Sequence, residues 1–440
     1  MNPEYLHVYR EGRLVGRLWK EGPFNLLFQY DKAWLDDASA PALSLALPKD
    51  RESPKPRPAT AFFSNLCYEG QSRRELARSN NLPASHLPFA LLAKFGQDTA
   101  GALVIQPGNA PPPSMKQHYA EVTGELMAIL AQGTKRRHSL PLALESSGHK
   151  LNFSIAGAQD KIAVHRQGSR FFIPAANTYA PTTWVLKPDH KDFPCIPENE
   201  LFCLELARAA GFPVPAVEIL KAENEPFFLI QRYDRHIGPD GRIRRLHQED
   251  FCQALHLPPE RKYQTNNGPG FVEAGRLLSR LAEAEKSLDD FVRLALFNFL
   301  IGNADAHGKN FSLLYAQDSE AGLSPAYDLL STQIYDEISP HFAMSYGQET
   351  KPSAIGLEVW KNFARHLKLA EARLSSAMLG LINPVAKCYE PRLETVLRQH
   401  PRFTEKAERL RDLIKNRLAV MEKAAEALAR PGGTAGAAAP

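Results

Sequence analysis

Two short stretches in the second half of the chain, Asn303-Ala-Asp-Ala-His-Gly-Lys-Asn310 and Ala326-Tyr-Asp328, have the residue types and spacing that phosphoryl transfer requires. Asp305 and Asn310 are separated by four residues, and Asp328 follows a short hairpin-length interval later. An Asp at the first position can take the proton from an attacking hydroxyl, and a carboxamide with a second carboxylate supplies oxygen ligands for Mg²⁺. Protein kinases keep this order, with an Asp-x-x-x-x-Asn catalytic loop before a metal-binding Asp. The chain also departs from that pattern. No Gly follows Asp328 as it would in Asp-Phe-Gly, and neither a eukaryotic-type Gly-rich loop nor a Walker A sequence occurs. Taken alone, 303–310 reads more readily as a polar turn, because Asn, Gly and Asp favour turns for backbone reasons of their own. Asp328 tips the balance towards chemistry.

The elements around these residues are suited to holding them. A helix predicted over 287–301 places Leu288, Phe291, Val292, Ala295 and Phe299 on one buried side, which gives the loop after it a rigid base. A hairpin of 311–315 and 323–327 would bring Asp328 beside Asn310. Upstream, strands are predicted at 151–155, 162–165, 171–173, 184–187, 216–220 and 227–231, interrupted by one helix over 197–211. That helix has Pro197 at its opening, acids in the first turn and Gly211 at its stop. In Ser154-Ile-Ala-Gly-Ala-Gln-Asp-Lys161 small residues let backbone N–H groups approach an anion, although a single glycine in a tight turn is more often only a turn. Lys187 ends an apolar strand and Glu200 lies on the next helix, the order of a phosphate-binding lysine oriented by a carboxylate. Their bland reading is a surface lysine and a helix-dipole acid. The strand at 227–231 runs into Arg232-Tyr-Asp234, where adenine can meet the backbone.

The 440 residues exceed one ordinary core. An N-terminal unit spans 1–106, opening with a hairpin around Glu11-Gly12. A linker and helical connection follows over 107–150, then a sheet lobe over 151–235, a helical lobe over 236–429, and a small-residue tail over 430–440 expected to be disordered. With 44% hydrophobic and 23% charged residues and a net charge of +4, the composition is that of a soluble globular protein and gives no argument for nucleic acid binding. The basic runs 135–138 and 241–245 read as solvated loops, and the charged helix at 404–429 as a packing helix. Cys67, Cys195, Cys203, Cys252 and Cys388 lack C-x-x-C spacing, so no disulfide framework or zinc site is expected. The N-terminus carries charges without an apolar core, and no apolar run reaches about 18 residues. A reducing cytoplasm and no membrane association are expected.

The chain resembles the HipA-type serine/threonine kinase toxins of bacterial type II toxin-antitoxin pairs. The resemblance rests on Phe153-Ser-Ile-Ala-Gly-Ala-Gln-Asp-Lys161, Leu186-Lys-Pro188, Asn199-Glu200, Arg232-Tyr-Asp-Arg235, Gln248-Glu-Asp-Phe-Cys-Gln253, Asn266-Asn-Gly-Pro-Gly270, the 303–312 stretch and Tyr327-Asp328, in that order. In the first unit, Leu43-Ser-Leu-Ala-Leu-Pro48, Phe62-Phe-Ser-Asn-Leu66 and Gly96-Gln-Asp-Thr-Ala-Gly-Ala-Leu103 extend it. Two departures are Leu66-Cys-Tyr-Glu-Gly70, where Leu-Leu-Pro-Glu-Gly is more usual, and Gln231 where an acid is common.

The resemblance implies an α+β, two-lobed protein-kinase-like fold with an N-terminal β-rich subdomain on the sheet lobe and an all-helical C-terminal lobe. It implies Asp305 as catalytic base, Asn310 and Asp328 as Mg²⁺ ligands, and Glu200 as the ion-pair partner of Lys187. ATP would be held by Ala156, Gly157, Ala158, Gln159, Asp160, Lys161, Lys187, Gln231, Arg232, Tyr233, Asp234, His307, Gly308, Lys309, Asn310, Tyr327 and Asp328. Ser154 would be autophosphorylated, the added charge expelling its loop and silencing the enzyme. Expected partners are a small helix-turn-helix antitoxin (HipB-like), operator DNA through that complex, and a protein substrate, an aminoacyl-tRNA synthetase, whose phosphorylation arrests growth and promotes persistence. A kinase of a small metabolite or lipid, or a DNA-binding co-repressor subunit without turnover, are the other readings.

Overall fold

Leu6 and Val8 alternate with more polar neighbours, the pattern of a half-buried strand. Glu11 and Gly12 both adopt positive φ (49° and 76°) at the turn that follows. In the computed structural model, which describes residues 4–22, 24–49, 56–316 and 320–430, the strands Tyr5–Arg10 and Arg13–Glu21 form the expected hairpin. Asn25–Tyr30 and Leu103–Pro107 complete a four-stranded antiparallel sheet, with Leu103–Pro107 next to the first strand. Helices Pro56–Ser64, Gly70–Ser79 and Leu87–Phe95 belong to the same unit. Leu6, Val8, Phe62, Phe63 and Phe95 share its core with Ile162, Val164 and Leu186 of the following sheet, so the two units are packed as one body.

That second sheet has six antiparallel strands, ordered Tyr119–Glu121, Arg170–Pro174, Ile162–Gln167, Trp184–Pro188, Glu225–Gln231, Val217–Ala222. Its edge strand Tyr119–Glu121 comes from the stretch read as a connection, which also holds helices Thr123–Leu130 and Leu140–Ser146. The strand expected at 151–155 is not formed. Only Phe153 makes a bridge, to Asp98 of the N-terminal unit, because this segment runs between the two units instead of along the sheet. Helix Ile196–Ala209 crosses the sheet and ends before Gly211 (φ 88°).

The C-terminal lobe is built on helices Phe271–Leu278, Ala284–Ile301, Leu357–His366, Glu371–Gln399 and Thr404–Ala429. It also contains a small sheet in which Ser312–Ala316 pairs with both His247–Asp250 and Glu320–Leu323. The hairpin before Asp328 therefore exists, with a second strand ending earlier than its apolar pattern suggests. Helix Glu371–Gln399 is continuous although it carries Pro384 and Pro391 inside it. An interior proline removes a hydrogen bond and costs about 3 kcal/mol or more. Leu374, Met378, Leu381, Val385, Leu393 and Val396, buried in the lobe's core, outweigh that local preference. None of the five cysteines is bridged. Among the described residues no helix is long and apolar enough to cross a membrane. The tail read as disordered lies, from residue 431 on, outside the described residues.

A buried ionic network joins the N-terminal unit to the segment between the lobes. Asp98, with no solvent exposure, pairs with Arg232 (3.3 Å), Arg235 (2.8 Å) and Arg245 (3.2 Å), while Asp234 takes Arg232 (2.8 Å) and Arg235 (3.0 Å). Burial pushes the Asp98 carboxyl up, but Arg245, Arg232 and Arg235 together hold it well below the usual carboxylate range. Ionising groups out of water costs several kcal/mol each unless geometry and hydrogen bonds compensate, and removing one partner leaves the rest uncompensated. Asp98→Asn should therefore lower unfolding stability by about 3–5 kcal/mol in urea denaturation; a loss below about 1 kcal/mol would show that the network is not a structural tie.

Candidate active site

Lys187 lies on a central strand of the six-stranded sheet, and only 5% of it reaches solvent. An ammonium so placed needs opposite charge close by. Its Nζ donates to both oxygens of Glu200 (2.8 and 3.1 Å) and to Asp328 Oδ1 (2.8 Å). Glu200 is positioned by two anchors on its own helix. Glu198 accepts from Arg402 Nε and Nη2 (2.6 and 2.8 Å), and Asn199 exchanges two hydrogen bonds with the Ser331 backbone (2.8 and 2.9 Å). The helix is thus pinned at three successive residues to the C-terminal lobe and to Lys187. Burial alone would depress the lysine, but Asp328 and Glu200 together hold it above its ordinary value. Burial likewise opposes ionisation of Asp328, which Lys187 and Lys161 nevertheless keep well below the usual carboxylate range. Both are charged at neutral pH, and the surface reading of Lys187 and Glu200 is excluded.

Helix Ala284–Ile301 stops at Gly302 (φ 67°), and the loop after it is braced internally. Asn303 Nδ2 donates to Asn298 Oδ1 (2.8 Å), Ala304 N–H to Thr332 Oγ1 (2.7 Å), and Asp305 N–H to Asn303 Oδ1 (3.1 Å). Asn310 Nδ2 donates to the Asp305 carbonyl (3.0 Å), so its carboxamide oxygen is the atom left for a cation. Asp328 keeps φ at 55°, a region uncommon for residues with a side chain and more tolerable to Asp. Its Oδ1 is on Lys187, and with Asn310 it faces a shared cavity. One carboxylate and one carboxamide are the donor set expected for Mg²⁺ that takes its other ligands from water and phosphate, so the residues present fit that ion.

Asp305 is half-buried, and its Oδ1 accepts from the Tyr263 hydroxyl (2.8 Å). Burial pushes its carboxyl up to about 6, with Asp328 adding to the rise and the Tyr263 bond opposing it. Tyr263 also meets His307 edge-on, ring centres 5.0 Å apart. Burial, reinforced by Lys262, drops His307 to about 3, so its ring is neutral, and its Nδ1 has no partner among the described residues. Gly308 is required by packing. A Cβ there would lie 2.5 Å from Pro269 Cγ and 3.0 Å from Cys252 Sγ. Lys309 turns to the N-terminal unit and bonds Asn65 Oδ1 (2.8 Å) and Glu69 Oε1 (2.9 Å), while the Tyr327 hydroxyl holds the Lys309 carbonyl (2.7 Å).

The loop 156–161 lines the same cavity, although its residues do not all face it. Gly157 takes φ 108°, a conformation that residues with a side chain rarely adopt, and lies against the tip of Lys161. Lys161 is lowered to about 8 by burial and by neighbouring Lys187. Asp160 points away, pairing with Arg136 and accepting from Leu140 N–H (2.9 Å), and so anchors the loop to the start of helix Leu140–Ser146. At the other end, Gln231 N–H donates to the Ala216 carbonyl and Arg232 N–H to the Thr183 carbonyl (both 2.8 Å). The side chains of Arg232 and Asp234 belong to the ionic network. Of the N–H groups over 231–234, those of Gln231 and Arg232 are thus spent within the fold, whereas Tyr233 and Asp234 donate theirs to no partner among the described residues. Ser154 is fully buried, with Oγ donating to the Leu66 carbonyl (2.9 Å). The cavity measures about 470 Å³ and grades from apolar Val185, Ile196 and Ile230 to polar Lys161, Lys187, Asp305, Asn310 and Asp328, a division that suits a nucleotide base at one end and its phosphates at the other.

Four residues in or beside this site were given no role by the sequence: Tyr263 and Lys262, which lie in no quoted motif, and Asn65 and Glu69, which lie in resembling motifs of the N-terminal unit. Their partners lie 42 or more positions away in the chain, so spacing cannot reveal them.

Residues 6–106 match the HipA N-terminal domain family and residues 153–389 the HipA-like C-terminal domain family. Y4mE of Sinorhizobium fredii, a protein named as a kinase, is 36% identical over 89% of this chain and 93% of its own. The serine/threonine-protein kinase toxin HipA of Shewanella oneidensis is 30% identical over 74% of each chain. A solved complex of HipA, HipB and operator DNA from Shewanella oneidensis contains a chain that superposes with a TM-score of 0.80 at 24% identity, covering 96% of this chain and 99% of that one. The two-lobed kinase-like fold is the shared feature.

Proposed function

The chain belongs to the HipA family, and from that premise we propose that it is an ATP- and Mg²⁺-dependent protein serine/threonine kinase acting as a growth-arresting toxin. The observation that carries this reading is the buried Lys187, bonded at one nitrogen to Glu200 and Asp328, with Asp305 opening on the same cavity. Asp328 and Asn310 would hold Mg²⁺, which neutralises phosphate charge when bound. Lys187 and the 156–161 loop receive the phosphates, the loop through its N–H groups. Asp305 accepts the proton of the substrate serine, at the oxygen that Tyr263 now occupies with its hydroxyl. Phosphoryl transfer asks the protein mainly for positioning and charge stabilisation, and a site braced this heavily supplies both.

The partner readings rest on the resemblance together with the relatives' names. HipA of Shewanella oneidensis is a kinase toxin, and the solved assembly pairs HipA with HipB and operator DNA. A HipB-like antitoxin, operator DNA through that antitoxin, and an aminoacyl-tRNA synthetase serine as substrate are accordingly assigned to this chain. Autophosphorylation at Ser154 is assigned in the same way. Because Ser154 has no exposure and is tied to Leu66, the loop must leave its seat for the hydroxyl to be phosphorylated. The added charge of about −2 cannot then return to that seat.

Four outcomes test the reading. Asp305→Asn should lower kcat by about 10²–10⁴-fold, the usual worth of a positioned general base, while ATP binding persists; an unchanged kcat removes Asp305 from the chemistry. Since the base works only when ionised, wild-type kcat/KM should fall as pH drops through about 6. The Tyr263 bond favours the carboxylate, so Tyr263→Phe should move that fall to higher pH, and a shift the other way contradicts the assigned contact. Phosphopeptide mapping after incubation with ATP should find Ser154 modified; phosphate only at other residues would sink that assignment.

A further inference from the structure

The phosphate loop is held from outside its own lobe. Over 66–70 the N-terminal unit touches 153–158 at four successive points. The Leu66 carbonyl accepts from Ser154 Oγ (2.9 Å), the Tyr68 hydroxyl donates to the Phe153 carbonyl (2.8 Å), and Glu69 Oε1 accepts from Gly157 N–H (3.1 Å). Gly70, at φ 57°, packs so closely that a Cβ would sit 2.9 Å from the Ala158 carbonyl oxygen. The Glu69 carboxylate has a second set of partners on the catalytic side. Lys309 of the Asp305 loop lies 2.9 Å from Oε1, and Lys262, next to the tyrosine that bonds Asp305, lies 3.2 Å from Oε2.

Three donors from three separate segments therefore converge on one carboxylate, which is only 11% exposed. This has a consequence for charge. Two lysines in the cavity wall are neutralised by the protein itself, Lys309 with further help from Asp250 (3.6 Å). A γ-phosphate placed against Gly157 N–H would meet the Glu69 oxygen at contact distance, so the bound nucleotide must use the other N–H groups of the loop together with Lys161 and Lys187.

We infer that Glu69 is a positioning residue for the nucleotide, a carboxylate latch by which the N-terminal unit fastens the phosphate loop to the catalytic loop and keeps it in the inward, ATP-accepting arrangement. Breaking the latch releases 154–161 from its seat without removing any group that contacts the reacting atoms. The inference deepens the kinase reading and depends on it for its kinetic consequences, whereas the effect on the loop itself does not.

The test is hydrogen–deuterium exchange over 154–161 in the full-length, nucleotide-free protein, wild type against Glu69→Gln. The glutamine keeps size and an acceptor but removes the charge that attracts both lysines. Exchange in that segment should quicken by about tenfold or more, the equivalent of about 1.4 kcal/mol, while the central strand Trp184–Pro188 is unaffected. With ATP as varied substrate, KM should rise about tenfold and kcat change less than about threefold, a split that loss of global stability would not produce. Should Glu69→Gln fail to fold, Gly70→Ala presses on the Ala158 carbonyl from the same side and should give the same local exchange. Unchanged exchange over 154–161 in the variant that folds overturns the latch, whatever the activity. Quickened exchange in a protein with no phosphoryl transfer would preserve the latch and defeat the kinase reading instead.

Discussion

The arrangement depends on a buried lysine shared between two carboxylates. Lys187 cannot stay charged at its depth without Glu200 and Asp328, and Asp328 cannot keep its unusual backbone geometry without something to hold its side chain. The triangle joins three elements distant in sequence: a sheet strand, the helix crossing that sheet, and the segment after the small hairpin of the C-terminal lobe. It also fixes the distance between lobes at the place where a nucleotide's phosphates would lie. Two carboxylates share this one ammonium, and Lys161 stands near enough to help keep Asp328 ionised.

The crossing helix is rigidly placed. Arg402 on Glu198 and the Ser331 backbone on Asn199 tie it to the C-terminal lobe on either side of the residue that meets Lys187. Control of the site therefore has to act elsewhere, and the phosphate loop is the element whose attachments come from another unit. From the N-terminal subdomain Asn65 bonds Lys309, and Leu66, Tyr68 and Glu69 bond the 153–157 segment. That subdomain also reaches the C-terminal lobe, where Glu249 accepts from Ser44 and from the Leu45 N–H (3.0 Å). A unit placed against both lobes and the phosphate loop is part of the catalytic body as much as an appendage to it.

Much of this was legible in the chain. Order and spacing placed Lys187, Glu200, Asp305, Asn310 and Asp328 in one pattern, and the structure brings four of them around one cavity with Glu200 bonded to Lys187 behind it. Legibility failed where long-range packing overrode local preference. Pro384 and Pro391 broke the helical pattern but not the helix, and the apolar run at 151–155 reads as a strand although it serves as a bridge between units. It failed again where residue type did not disclose orientation. Arg232, Asp234 and Asp160 look like ligands by position, yet the side chains of the first two carry buried ion pairs and that of Asp160 pairs with Arg136 away from the cavity. The contacts of Glu69 and Tyr263 were invisible, although Glu69 lies in a resembling motif, because nothing in a sequence says which distant acid or phenol will reach a loop.

The most direct test is transfer of label from γ-³²P-ATP with Mg²⁺ by the purified full-length protein and by Asp328→Asn, which keeps the side-chain shape but removes the charge that Lys187 and the metal share. Radiolabel should appear on wild-type protein and be lost, to below about 1%, in the variant. Equal labelling of both, or none in the wild type, would contradict the claim that this triangle is a phosphoryl-transfer centre.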